Sequence, residues 1–122
     1  MAAIQDLSKD TIKKDFWAEC DTVLTHDVTI IIPVSINPTY AGNLIKHTAT
    51  TFADLFGGCT ITTGQGFYKS NNGLIIENVT LINSSCLNLD KSNVIYNLAV
   101  DIKAELKQES VAVKIDGKLY FV

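Results

Sequence analysis

The order of apolar runs and turn-forming residues along this 122-residue chain predicts one α+β domain built β-α-β-β-α-β. Three observations carry that prediction. The β-branched run Val28-Thr29-Ile30-Ile31-Ile32-Pro33-Val34 reads as a strand covered on both faces. Two stretches with helical apolar spacing follow, one opening at Asn37-Pro38 and one at Asp90 to Ser92. Between them lie two strand-like segments joined by Ser70-Asn71-Asn72-Gly73, strong hairpin-turn chemistry.

Residues 1–27 read as an N-terminal extension, partly helical, in which Ser8 caps a turn and Ile12, Phe16 and Cys20 share one face beside Trp17. Residues 28–122 form the domain proper. After the first strand, Asn37 is placed to cap a helix whose first turn begins at Pro38. Ala41, Leu44, Ile45, Thr48, Phe52 and Leu55 make its apolar face, and Gly57-Gly58 ends it. Cys59 to Tyr68 and Leu74 to Ile82 are the hairpin strands. Asp90 or Ser92 is the expected cap of the second helix, with Val94, Ile95, Leu98, Ala99, Ile102 and Leu106 turned inward. Ser110 to Ile115 gives a fourth strand, and Asp116-Gly117 turns the chain into Leu119 to Val122, a short C-terminal hairpin. Strand, helix, hairpin, helix, strand is the order of a ferredoxin-like sandwich, with right-handed crossovers.

Composition narrows the function classes. Apolar residues make up 47% and charged residues 19%, the balance of a globular domain. All ten basic residues are lysines and the net charge is −3, which argues against sequence-specific nucleic-acid binding, where arginine's planar fork is the usual reader. The longest apolar run is far shorter than the ~20 residues of a membrane span, and no leader pattern precedes it. A cytoplasmic location, bacterial or in a host cytosol, is therefore expected. Cys20, Cys59 and Cys86 are too scattered for a zinc pattern and read as ordinary reduced thiols, so neither a metal nor a cofactor is called for.

The most distinctive segment runs from Phe56 to Glu77. With Asn71-Asn72 as a two-residue turn, Tyr68 faces Ile75 and Gly66 faces Glu77 across the hairpin. Tyr68 and Glu77 are then diagonal neighbours on one sheet face. Gly64 and Gly66 lie on that face too, as the floor of a trough beside the carboxylate. Candidate ligand-binding residues are thus Gly64, Gly66, Tyr68 and Glu77, joined by Asn37 at the first helix's N-terminus. An alternative use of the glycines, making room for packing or a bulge, stays open. A lone Glu–Tyr pair is a weak catalytic signal, and no catalytic residue is assigned from it.

At these positions the chain resembles a loose group of small uncharacterised bacterial and phage proteins of ferredoxin-like pattern. The shared signature is Phe56-Gly57-Gly58-x-Thr60, Gly64-x-Gly66-x-Tyr68, Gly73-x-x-x-Glu77 and Gln108-Glu109-x-Val111. It spans residues 28–122, and the Tyr68 position is often Trp in that group. The resemblance implies the fold and a site around Tyr68 and Glu77.

The central strand carries isoleucines on both faces while the helices cover only one, so a homodimer or higher homo-oligomer is expected to hide the other. The expectation that follows is a non-enzymatic, homo-oligomeric binding protein that sequesters a small ligand or docks on a protein partner. Phage or mobile-element accessory proteins that block host defence are one version of it. The alternative is a small lyase or hydrolase using Glu77 and Tyr68 as an acid–base pair, with His47 as a further candidate. A structural subunit using Phe16 and Trp17 as its contact is a third reading.

Overall fold

The fold hangs on a central strand that is hydrogen-bonded along both edges. A computed structural model of the chain describes residues 19–34 and 38–122. Its elements are β1 (His26–Pro33), α1 (Pro38–Phe56), β2 (Thr60–Ser70), β3 (Gly73–Cys86), α2 (Ser92–Glu105), β4 (Ala112–Ile115) and β5 (Lys118–Phe121). The five strands form one antiparallel sheet in the order β2-β3-β1-β4-β5. The architecture is α+β, as expected. The expected N-terminal helix through Ser8, Ile12 and Phe16, and the expected Asn37 cap, lie outside the described residues.

Alternation along β1 sorts its side chains. Val28, Ile30 and Ile32 point to the helix side and are buried with Ile82 and Cys86 of β3 and Val113 of β4. Phe52 and Ala41 of α1 and Ile95, Leu98, Ala99 and Ile102 of α2 close over them. Phe52 also meets Phe56 edge to face, ring centroids 5.5 Å apart. Thr29, Ile31 and Pro33 occupy the opposite face. Pro33 sits safely because of the hydrogen-bond alternation. Val34 donates to Asn78 on the β3 side, so the missing N–H of Pro33 falls on the β4 side, beyond the last pair Ile31–Ala112.

Three ends depart from the simplest expectation. In the β2–β3 turn the asparagines keep negative φ and Gly73 alone takes a positive one, 117°. Ser70 Oγ ties the turn together, donating to Gly73 O at 2.8 Å and accepting from Asn72 N–H at 3.2 Å. Neither Asp90 nor Ser92 caps α2. Lys91 holds the cap position with no side-chain bond, because the first amides are satisfied by backbone: Ser92 N–H on Leu89 O and Val94 N–H on Lys91 O, both 3.0 Å. At its other end α2 closes in a Schellman turn, Gln108 N–H on Lys103 O (3.0 Å) and Lys107 N–H on Ala104 O (3.3 Å). Lys107 takes the left-handed position, φ 52°, that glycine usually fills.

A polar clasp ties the C-terminal hairpin to the start of β1. Asp116 and Gly117 both have positive φ, 51° and 81°, as a two-residue primed turn requires. The Asp116 carboxylate accepts from His26 Nδ1 at 2.7 Å and from Asp27 N–H at 2.9 Å. Asn83 Nδ2 donates to Asp27 Oδ1 at 3.0 Å and to Thr29 Oγ1 at 2.7 Å. On the helix side Tyr40 Oη donates to Glu105, linking the first turn of α1 to the last of α2. Among the described residues no helix is long and apolar enough to cross a membrane.

Two outcomes follow. Lys107→Gly removes the left-handed cost and should stabilise the fold by about 1 kcal/mol in urea denaturation, since the conformation disfavours side chains with a Cβ by that order. The His26 hydrogen bond first, and the Asp27 amide second, hold the Asp116 carboxyl below the usual carboxylate range. A group depressed in the folded state contributes stability above its unfolded pKa, near 4, and loses it as pH falls through the lower folded value. Asp116→Asn, which keeps a residue suited to the turn, should therefore lower the urea midpoint at pH 7. The difference from wild type should shrink below about pH 4; a gap that persists unchanged at pH 2 would refute the linkage.

Candidate functional site

Across β2 and β3 the register pairs Gly64 with Val79, Gly66 with Glu77 and Tyr68 with Ile75. Alternation then puts Gly64, Gly66, Tyr68, Ile75, Glu77 and Val79 on the helix-free face, together with Ile31 and Pro33 of β1. Ala112 of β4 lies opposite Ile31, and Phe121 of β5 opposite Ala112, so the same face continues to the far edge. The segment after the Schellman turn of α2 brings Gln108, Glu109 and Ser110 over its rim. All of these except Gly64 and Gly66 line a cleft of about 290 Å³.

The walls are mainly apolar: Ile31, Pro33, Ile75, Val79 and Phe121. Its polar groups are the Tyr68 phenol, Gln108, Ser110 and the carboxylates of Glu77 and Glu109. Among the described residues no lysine lines it, so their local charge is negative and the cleft suits a cationic ligand. Glu77 is half-buried; Tyr68 and Glu109 are exposed.

Tyr68 does not stand upright on the sheet. Its ring lies back along β2 over Gly66, where a Cβ would fall 2.6 Å from Cε2 and from Oη. The space at Gly66, expected as an open trough, is filled by the phenol. A Cβ at Gly64 would make only ordinary contacts, 3.8 Å to Val79 and 3.9 Å to Leu81. Gly64 lines a separate hollow with Val34, Thr63, Gln65 and Asn78.

Of the residues singled out in the sequence, Tyr68 and Glu77 both line the cleft, with Gly66 beneath the ring. Gly64 lies outside the cleft, and Asn37 outside the described residues. His47 is on α1, across the sheet, and is not brought to it. Glu109 was legible only as part of the Gln108-Glu109-x-Val111 pattern. Nothing periodic in that stretch signals that a Schellman turn swings it over the open face. Phe121 was likewise read as strand, without its role as a wall.

No family model matches the sequence, and no curated protein matches it. Two solved structures share the fold. A phage SAM lyase in complex with S-methyl-5'-thioadenosine superposes with TM-score 0.63 at 18% identity, covering 85% of this chain and 95% of that one. A phage SAM lyase in the apo state gives TM-score 0.62 at 23% identity, covering 85% and 93%. At these identities the likeness is one of fold. It nevertheless overturns the expectation of a non-enzymatic binding protein, because the neighbours are enzymes. Of the readings open from sequence, the small-lyase alternative is the one they favour.

Proposed function

We propose that this chain is a ferredoxin-like sandwich acting as a small lyase, cleaving S-adenosylmethionine (SAM) to S-methyl-5'-thioadenosine in the cleft of Tyr68, Glu77 and Glu109. The observation that carries the proposal is the cleft's chemistry, two carboxylates and a phenol among apolar walls with no cation among the described residues. The phage SAM lyases of the same fold support it.

The substrate explains why such a site suffices. Its sulfur is a sulfonium, so the departing thioether leaves neutral and needs no proton. Tyr68 is therefore not required as an acid; its ring and hydroxyl offer a cation–π face and a hydrogen bond. Glu77 and Glu109 attract the ammonium and sulfonium. No lysine among the described lining residues pairs with the substrate's own carboxylate, which acts as the nucleophile in this reading. That carboxylate attacks the carbon γ to it: the C–O bond forms, the C–S bond breaks, and its electron pair passes to sulfur. A five-membered lactone and a neutral thioether result, with no water consumed. Ring closure brings the reactants together at high effective molarity. Elimination would instead need a base strong enough for an unactivated C–H, which a carboxylate is not.

The cleft's volume is at the lower end of the about 300–1,000 Å³ typical of ligand sites, and Phe121 at its edge is 65% exposed. We propose that a second copy of the chain covers this open face and completes the wall.

The test is incubation of purified protein with SAM in H₂¹⁸O, followed by mass spectrometry. S-methyl-5'-thioadenosine should form, and ¹⁸O should enter the carboxyl group of homoserine only later, as the lactone hydrolyses. Label in the γ-hydroxyl would mean hydrolysis, and no thioether above the protein-free rate would end the proposal. Glu77→Gln should lower kcat/KM by about 10- to 100-fold, the scale of a lost hydrogen bond to a charged group.

A further inference from the structure

Gly66 is the one glycine here whose missing side chain is demanded by a neighbour. Its φ is not in the left-handed region; among the described glycines only Gly57, Gly73 and Gly117 have positive φ. Backbone freedom therefore does not explain it, and space does. A Cβ would sit 2.6 Å from Tyr68 Oη and Cε2 and 2.8 Å from Cζ, so the hydroxyl end of the ring rests where that carbon would be.

This resting place has a consequence for the cleft. Tyr68 is paired with Ile75, and an upright phenol would stand beside that apolar residue. Gly66 is paired with Glu77. Directly opposed Cβ positions lie about 5 Å apart, so laying the ring over Gly66 carries the hydroxyl from the level of Ile75 to that of Glu77. We infer that Gly66 is a positioning residue: it seats the Tyr68 phenol at the level of Glu77, and any side chain at 66 would turn the phenol away from the cleft carboxylate. The functional part of this inference rests on the lyase reading; the seat itself does not.

A structural role is the competing explanation, since an aromatic ring covering a strand glycine also supports the strand. The two differ in what Gly66→Ala does. The clashing atoms are the far end of a side chain on the surface, so the ring can swing out while the sheet stays intact. Alanine is also the better strand residue on entropic grounds. The positioning role therefore predicts a Tm equal to or above wild type together with lost turnover, whereas a support role predicts a lower Tm.

The experiment is a double-mutant cycle on SAM cleavage with Gly66→Ala, Tyr68→Ala and both together, read with Tm and NMR. Gly66→Ala should cost about 100-fold in kcat/KM, the scale of an ångström-sized misplacement, and should cost nothing further in the Tyr68→Ala background. In NOE spectra a Gly66 Hα should show cross-peaks to the Tyr68 Hε protons that are absent in Tyr68→Ala and kept in Gly64→Ala. Full turnover in Gly66→Ala, additive losses in the cycle, or activity lost in step with Tm would overturn the inference. Should the wild type fail to cleave SAM, the lyase reading falls alone. The NOE between Gly66 Hα and the Tyr68 ring then decides the seat, and its absence would refute it.

Discussion

Glu77 and its side of the cleft depend on the register of β3, which is bonded to β2 on one edge and β1 on the other. A slip of one residue would carry Glu77 to the helix side and bring Ile82 out to solvent. Ile82 is fully buried against Ile30 and the helices, so such a slip would lose a whole hydrophobic side chain, about 1.5–3 kcal/mol for that residue alone. The core thus holds the site in place through the pleat. Packing on one face of β3 fixes which carboxylate appears on the other.

The far wall is set by a different device. β5 reaches the cleft only because the Asp116-Gly117 turn reverses the chain, and that turn is tied to β1 through His26 and the Asp27 amide. Phe121 pairs with Ala112, which pairs with Ile31, so the clasp at one end of β1 aligns the apolar wall at the other. Val111 and Val122 exchange both backbone bonds, at 3.1 and 2.9 Å, and continue that alignment past the last strand residue. The Phe121 wall and Glu77 therefore come from separate hairpins held to one central strand.

Most of this frame was legible in the sequence, since strand alternation, helical spacing and turn glycines are local signals. The Asn71-Asn72 loop was enough to derive the Gly66–Glu77 pairing. The cap of α2 was misread because asparagine, aspartate and serine all occur before it, and the backbone turn at Leu89 to Lys91 made a side-chain cap unnecessary. Glu109 was hidden for a related reason. Its place depends on Lys107 adopting φ 52°, a conformation that sequence patterns assign to glycine. The ring of Tyr68 over Gly66 was hidden too, because a glycine gap in sequence does not say which neighbour fills it.

The sequence offers no convincing nucleophile, metal pattern or tuned acid–base pair, and the proposed cleavage of SAM needs none of them. A sulfonium substrate supplies its own leaving group and, through its carboxylate, its own nucleophile. What remains for the protein is to attract a cation, hold it folded on itself, and leave the reacting carboxylate unpaired. The reaction also destroys charge, converting a carboxylate and a sulfonium into an ester and a thioether. Apolar surroundings favour such a step, because the ions lose more solvation than the neutral products do. Ile31, Ile75, Val79 and Phe121 therefore suit the proposed reaction as surroundings, with the carboxylates of Glu77 and Glu109 beside them. A weak acid–base signal is what the proposed chemistry allows, since neither the leaving group nor the nucleophile has to come from the protein.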